Sequence, residues 1–239
     1  MEFAYDLSGK SVPILKRYQV AATNTVIGRP YLKAANAGVG IVLATTTGNV
    51  DSIGVNVDTA GTYAAGQNSD GSDNAKYTTL IINPLGVFRA RLSGGATDGT
   101  ALTARTVTTA SADGLTVTHS GYNSNSPDMD EGTIWGNTGA NSGVYRKITA
   151  TANGTTTVIL AFPRDDAAGD TYLLAPVYPT RSITAQLTTN CTEIDASAAI
   201  TGCTFVVVEM LLNDASNNGT TRSYAYIQNA DHLFGAAIT

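Results

Sequence analysis

Apolar and polar residues alternate with a period of two along much of the chain, which is the pattern of β-strands with one buried face. In GVFRARLS (86–93), Phe88, Ala90 and Leu92 share one face and two arginines share the other. Comparable runs bounded by Gly, Asn, Asp or Pro occur at 40–47, 50–58, 76–84, 114–120, 143–152, 155–163, 171–179, 181–189 and 220–229. No run of eleven or more residues has its apolar residues at helical spacing. The pattern therefore predicts an all-β fold, an antiparallel sandwich or barrel of about a dozen short strands with an extended N-terminal arm and little helix.

Three local signals refine this prediction. Gly48-Asn49 and Asn153-Gly154 each separate two such runs, and these dipeptides favour the tight turns of β-hairpins. The run CTFVVVEMLL (203–212) is almost continuously apolar, which indicates a strand buried on both faces. The most loop-like stretch, 120–132, is the best internal boundary.

Charge divides the chain unevenly. Residues 1–33 hold five lysines and arginines against two carboxylates, whereas the whole chain of 239 residues has a formal net charge of −5. A basic leader ahead of an acidic body predicts an extended arm at 1–33 that docks on a negative partner, followed by a β-rich body at 34–239 that is subdivided near 120–132. A solvated tail is the alternative.

The candidate docking residues of this arm are its cations and one aromatic side chain. They are Lys10, Lys16, Arg17, Tyr18 and Arg29.

Composition excludes several classes of protein. The acidic balance argues against a duplex-binding module, so we expect no nucleic-acid partner. No run approaches the ~20 apolar residues of a membrane helix, so we expect no membrane partner. The first residues, MEFAYDLSGK, lack the apolar core of a secretory signal.

Catalytic motifs are scarce. His119 and His232 are the two histidines, and no nucleophile elbow, zinc-protease, Walker or dinucleotide motif occurs. His119 could form an acid–base site with Asp128, Asp130 and Glu131. Solvation of a loop by these carboxylates is the simpler interpretation, so we predict no enzymatic activity.

The sequence signals for a metal site or a disulfide are equally weak. The acidic loop NSDGSDN (68–74) has side chains that calcium prefers, but it lacks the EF-hand spacing, and a solvated hairpin tip is expected. Cys191 and Cys203 could form a disulfide if their strands are neighbours, although two free thiols are expected without an export signal. We predict no cofactor and no metal site.

Two segments resemble structural proteins of tailed-phage virions. The segment 140–176 contains Gly-x-Tyr-Arg-x-Ile, a Thr-rich hairpin and Ala-Gly-Asp-Thr-Tyr before a proline. The segment 220–235 resembles the end of head decoration (cement) proteins. The resemblance implies a β-rich protein, often trimeric, that coats and stabilises the outside of an HK97-type capsid and uses its N-terminal arm to bind the major capsid protein. It also implies a location on the virion exterior after synthesis in the host cytoplasm.

Two other functions are weighed against this one. A virion fibre, spike or neck component would bind a host surface, but a fibre would show long repeats. A carbohydrate-active enzyme would need two carboxyl groups ~5–10 Å apart in an aromatic-lined cleft, and the acids are scattered along the sequence. A major capsid protein is disfavoured because no long amphipathic helix is predicted.

Overall fold

The structure is a computed structural model in which the described residues are 1–9, 13–20, 26–33, 41–43, 52–58, 61–62, 76–120, 129–152, 154–179, 182–185, 187–190, 192–197, 203–214 and 222–229. These residues form eighteen strands and no helix, and so include no helix long and apolar enough to cross a membrane. The all-β prediction is confirmed. The strands are β1 (Glu2–Asp6), β2 (Leu15–Val20), β3 (Pro30–Lys33), β4 (Ile41–Leu43), β5 (Ser52–Asn56), β6 (Gly61–Thr62), β7 (Lys76–Ile81), β8 (Gly86–Ser93), β9 (Arg105–Thr109), β10 (Thr116–His119), β11 (Thr133–Gly136), β12 (Tyr145–Ala152), β13 (Thr155–Val158), β14 (Thr171–Ala175), β15 (Ser182–Ala185), β16 (Ile194–Asp195), β17 (Cys203–Asp214) and β18 (Arg222–Asn229).

The strands form three sheets. The main sheet has the order β1-β8-β18-β17-β15, with β16 pairing in parallel beside β8. The barrel is closed and has the order β10-β13-β12-β11-β14-β9. The N-terminal sheet has the order β2-β4-β3-β5-β7-β6, and β2 also pairs with β7.

A shared hydrophobic core joins the three sheets. It contains Phe88 and Leu92 of the main sheet, Trp135 and Leu173 of the barrel, and Ile81 of the N-terminal sheet. A second core fills the barrel, and a smaller one, with Val20, Tyr31 and Leu80, lies in the N-terminal sheet. The three sheets are therefore packed as one body.

The barrel strand β14 is apolar on both faces because it separates two of these cores. In β14, Tyr172 and Leu174 belong to the barrel core, whereas Leu173 and Ala175 belong to the shared core. Since neighbouring side chains of a strand point to opposite faces, the unbroken apolar run in this strand follows from its position in the wall between the cores.

The segment predicted as an arm contains the extended strands β1, β2 and β3, and these strands are built into the body. β1 pairs with β8, β2 pairs with β4 and β7, and β3 pairs with β4 and β5. Backbone pairing therefore does not separate residues 1–33 from the rest of the chain.

The loop 120–132 lies between two strands of the same barrel, and its residues 121–128 are outside the described part.

One predicted hairpin is confirmed and another is wrong. β12 pairs antiparallel with β13, with Ala152 opposite Thr155, and Gly154 between them has φ +70°; Asn153 itself is outside the described residues. In contrast, β4 and β5 do not form a hairpin, because β3 lies between them and pairs with both. The Gly48-Asn49 turn itself is outside the described residues.

The predicted burial of both faces at 203–212 is also wrong. Val207 is buried in the shared core, but Glu209 and Leu211 are exposed. A register shift between Val207 and Glu209 turns Met210 and Leu212 towards the core, so Glu209 and Leu211 lie on the opposite, exposed face.

Candidate docking surface

The predicted docking cations do not form one cluster. Lys16 and Arg17 are both exposed, and as neighbours in β2 they project to opposite faces of the strand. The Nζ atom of Lys16 lies 5.5 Å from the ring centroid of Tyr18, and the guanidinium carbon of Arg17 lies 5.4 Å from that of Tyr77. Lys10 is outside the described residues.

Tyr18 and Arg29 are held against the body. Tyr18 is half-buried, and burial raises the pKa of its hydroxyl. The backbone amide of Arg29 donates to Oδ1 of Asn56 at 2.7 Å, and its carbonyl accepts a bond from the Asn56 amide at 3.0 Å. Arg29 is therefore anchored to β5 through its backbone.

Asp58 is bonded to β7 and lies near enough to Arg17 for the two charges to interact. Burial acts to raise the pKa of this carboxyl, but hydrogen bonds from the Thr79 amide and the Thr78 and Thr79 hydroxyls, together with the charge of Arg17, outweigh burial and lower it. The carboxylate therefore stays ionised and balances part of the positive charge of the arm.

Exposed aliphatic side chains, rather than cations, gather at the surface of the arm. We name the set formed by Leu7, Ile14, Leu15 and Leu85 the arm patch. Their exposed fractions are 48%, 46%, 54% and 39%. The Leu7 amide donates to the Leu85 carbonyl at 3.0 Å, and the Ile14 amide donates to Asn83, two residues before Leu85, so the backbones of the four residues meet at one junction. Exposed apolar patches of this kind mark interaction sites.

Buried Asn83 and Asp6 hold the arm patch in place. Oδ1 of Asn83 accepts a bond from the Ile14 amide at 2.5 Å, and its Nδ2 donates to Oδ2 of Asp6 at 2.9 Å. The other oxygen of Asp6 accepts a bond from the Ser8 amide at 2.8 Å. The end of β1 and the start of β2 are therefore fixed to the same asparagine.

Replacing Asn83 by Ala should lower the free energy of unfolding by about 2–3 kcal/mol, because it removes the side-chain acceptor of the Ile14 amide and one donor to the buried Asp6 carboxylate. Chemical denaturation followed by circular dichroism measures this loss. The control is Asn190→Ala, which removes an exposed amide that donates to Asp98 at 3.0 Å and should change stability by less than about 0.5 kcal/mol. Equal effects of the two substitutions would contradict the anchoring role of Asn83.

The barrel exposes a second apolar surface, the barrel face, formed by Tyr145, Ile159 and Leu160. Ile159 and Leu160 are 64% and 61% exposed. They border a groove of about 420 Å³ that Arg146 and Lys147 also line. Nε of Arg146 donates to the Ala161 carbonyl at 2.9 Å, and Lys147 pairs with Glu131. These bonds hold two cations beside the aliphatic side chains.

The possible acid–base residues have separate partners. His119 is buried, its Nε2 lies 2.9 Å from the Thr156 hydroxyl, and burial lowers its pKa, with Arg105 acting in the same direction. Oδ1 of Asp130 accepts two bonds from Thr151, while Glu131 pairs with Lys147. Each of the three groups is therefore bonded to a different residue of the barrel. Asp128 is outside the described residues.

The other candidate positions are only partly described. Residues 68–74, Cys191 and His232 lie outside the described ranges, as do the side chain of Cys203 and its contacts. Within those ranges no three His, Cys, Asp or Glu residues form a group that could hold a metal ion.

Sequence patterns point to the cations of the arm but miss the arm patch. Its members come from a turn, from the start of β2 and the residue before it, and from a second turn, and Leu7 and Leu85 are isolated leucines in the sequence. The only local signal is the aliphatic run Val12-Pro13-Ile14-Leu15, which is also compatible with a buried strand.

Comparisons with models of protein families, with curated proteins and with solved structures find no match to this chain.

Proposed function

We propose that this protein is a virion structural protein that binds the outer surface of an HK97-type capsid shell and stabilises it, with its N-terminal segment docking on the major capsid protein. The arm patch is the observation that carries the proposal. It offers four exposed aliphatic side chains at one junction, and the exposed Arg17 lies on the same face of β2 as Leu15.

This arrangement suits a partner surface with an apolar centre and an acidic edge. Fully burying a leucine or isoleucine side chain contributes about 1.5–3 kcal/mol, so covering these half-exposed residues supplies several kcal/mol per copy. A cation at the edge of the patch increases the association rate with an acidic surface. Many such modest contacts, repeated over a lattice, would stabilise the shell collectively.

The barrel provides further support. The segment 140–176, which resembles virion structural proteins, contains β12, β13 and β14 and carries the barrel face. This second apolar surface is available for contacts between copies, and we include in the proposal the trimer that the resemblance implies. No catalytic step, cofactor, nucleic acid or membrane takes part in the proposed function.

Copy number in the virion distinguishes this function from that of a fibre, spike or neck component that binds a host surface. Quantitative mass spectrometry of purified virions would give the ratio of this chain to the major capsid protein. A ratio near one, or a simple fraction of it, supports a coat over the whole lattice. A handful of copies supports the fibre, spike or neck component, and absence from virions excludes both.

The double variant Leu7→Asp/Leu15→Asp should lose at least about 10-fold in affinity for shells stripped of this protein, since about 1.4 kcal/mol of apolar contact corresponds to that factor. Cosedimentation with the shells measures the binding. Both side chains are exposed, so the variant should fold normally. The matched control is Leu115→Asp, which places the same charge at a 42% exposed leucine of the barrel, outside both apolar surfaces. Full binding by the double variant would contradict docking through the arm patch.

A further inference from the structure

A row of four chemically distinct side chains crosses the main sheet. Glu2 of β1 lies opposite Arg89 of β8, Arg89 lies opposite Tyr226 of β18, and Tyr226 lies opposite Glu209 of β17. Directly opposite residues of neighbouring strands project from the same face of a sheet. The row therefore places a carboxylate, a guanidinium, a phenol and a second carboxylate side by side, away from the face that packs on the shared core.

These residues border a surface groove of about 430 Å³, which we name the tyrosine groove. It is lined by Glu2, Phe3, Ala4, Tyr5, Arg89, Glu209 and Tyr226. The rings of Tyr5 and Tyr226 are stacked, with centroids 6.4 Å apart and planes 25° apart. Both side chains are half-buried, so they form a fixed aromatic platform with part of its surface exposed to solvent.

The cations next to the groove already have partners. Arg89 forms an ion pair with Glu2, and its guanidinium carbon lies 4.9 Å from the ring centroid of Tyr224. Arg91, on the same face of β8, pairs with Glu193 at 3.7 Å. In the part of the chain that the structure describes, Glu209 is exposed and has no ion-pair partner. The groove therefore offers balanced or negative charge, which disfavours an anionic ligand.

The polar groups are suited to hydroxyl-bearing ligands. A carboxylate accepts bonds from hydroxyl groups, and a guanidinium has several N–H donors that can bond to their oxygens. Burial, the charge of Glu209 and the neighbouring Tyr226 raise the pKa of Tyr5, so its hydroxyl remains a neutral donor. Tyrosine itself combines an apolar ring with a polar tip.

We propose that the tyrosine groove binds a neutral carbohydrate. One face of a sugar ring, which carries C–H groups, packs on Tyr5 and Tyr226, while its hydroxyl groups donate to Glu209 and accept bonds from Arg89. A few oriented polar groups beside an apolar surface are the usual composition of a small-molecule site. The inference does not depend on binding to a capsid, and it adds adhesion to a glycan surface as a second activity.

The test is isothermal titration of the isolated full-length protein with maltose, cellobiose, lactose and N,N′-diacetylchitobiose, and with sialyllactose as an anionic comparison. At least one neutral sugar should bind with Kd of about 1 mM or tighter. Tyr226→Ala should weaken that binding at least about 10-fold, and Glu209→Gln should weaken it by a similar factor. Tyr226→Phe, which keeps the ring, should retain most of the binding.

The control is Tyr77→Ala, which removes another half-buried tyrosine that lies beside an arginine, but in the N-terminal sheet. Its sugar affinity should equal that of the unmodified protein. Absence of binding by all four neutral sugars would overturn the proposal, as would stronger binding of sialyllactose than of lactose or equal losses in Tyr77→Ala and Tyr226→Ala. Because no shells are present, these outcomes are independent of the capsid experiments.

Discussion

Deletion of residues 1–33 is expected to destabilise the protein by more than about 5 kcal/mol, enough to unfold a domain of ordinary stability. The deletion removes β1 from the edge of the main sheet and β2 and β3 from the N-terminal sheet. It also removes Tyr31 and Val20, two of the buried residues in the core of that sheet. Loss of a large buried aromatic side chain alone costs about 3–5 kcal/mol, and the loss of a buried valine adds about 1.5–3 kcal/mol.

Thermal unfolding followed by far-ultraviolet circular dichroism measures this effect. The full-length variant Leu7→Asp/Leu15→Asp is the control, because it changes the exposed surface of the arm without removing a strand. It should unfold cooperatively, within a few degrees of the unmodified protein. A truncated chain with the same transition temperature as the full-length protein would show that the first three strands are dispensable for folding.

This expectation differs from the one that charge alone suggests. A basic segment ahead of an acidic body predicts an arm separate from the body, and the residues of β1 and β2 do lie extended. Charge pattern, however, carries no information about which strands an extended segment pairs with. The partners of β2 include β7, about 60 residues later in the chain, and that distance is outside the range of any local pattern.

Local sequence signals gave correct predictions where the residues that contact one another are also close in the chain. The alternation in β8 predicted Phe88, Ala90 and Leu92 in the core, and the Asn-Gly dipeptide predicted the pairing of β12 with β13. The same kind of signal failed for β4 and β5, because β3, which precedes both, pairs between them. The strand propensity of a short segment does not specify which other strand pairs with each of its two edges.

The surface sites could not be predicted from the sequence, because they depend on the register between strands that are distant in the chain. The row that contains Glu2, Arg89, Tyr226 and Glu209 joins positions from both ends of the chain. No spacing in the sequence relates these residues, since each belongs to a different strand with its own partners. The acids that look scattered along the chain therefore include two that border one aromatic groove.

Substitution of Trp135 by Ala is expected to lower the free energy of unfolding by about 3–5 kcal/mol. Trp135 is 1% exposed and belongs to the shared core, where the barrel packs against the main sheet. Its strand neighbour Ile134 belongs to the barrel core instead. The substitution therefore leaves a cavity between the sheets while the barrel interior keeps its side chains. At roughly 2–4 °C per kcal/mol for a chain of this size, the midpoint of thermal unfolding should fall by about 10 °C.

Differential scanning calorimetry of the full-length protein distinguishes a shared core from sheets that fold independently. If the core couples the sheets, Trp135→Ala should shift one common transition, and Trp135→Phe should shift it less because more of the volume remains filled. The matched control is Tyr145→Ala, since Tyr145 lies directly opposite Trp135 on the neighbouring strand but is 48% exposed. This change should alter stability by about 0.5 kcal/mol or less. A second transition that Trp135→Ala leaves unmoved would instead mean that part of the protein folds without the shared core.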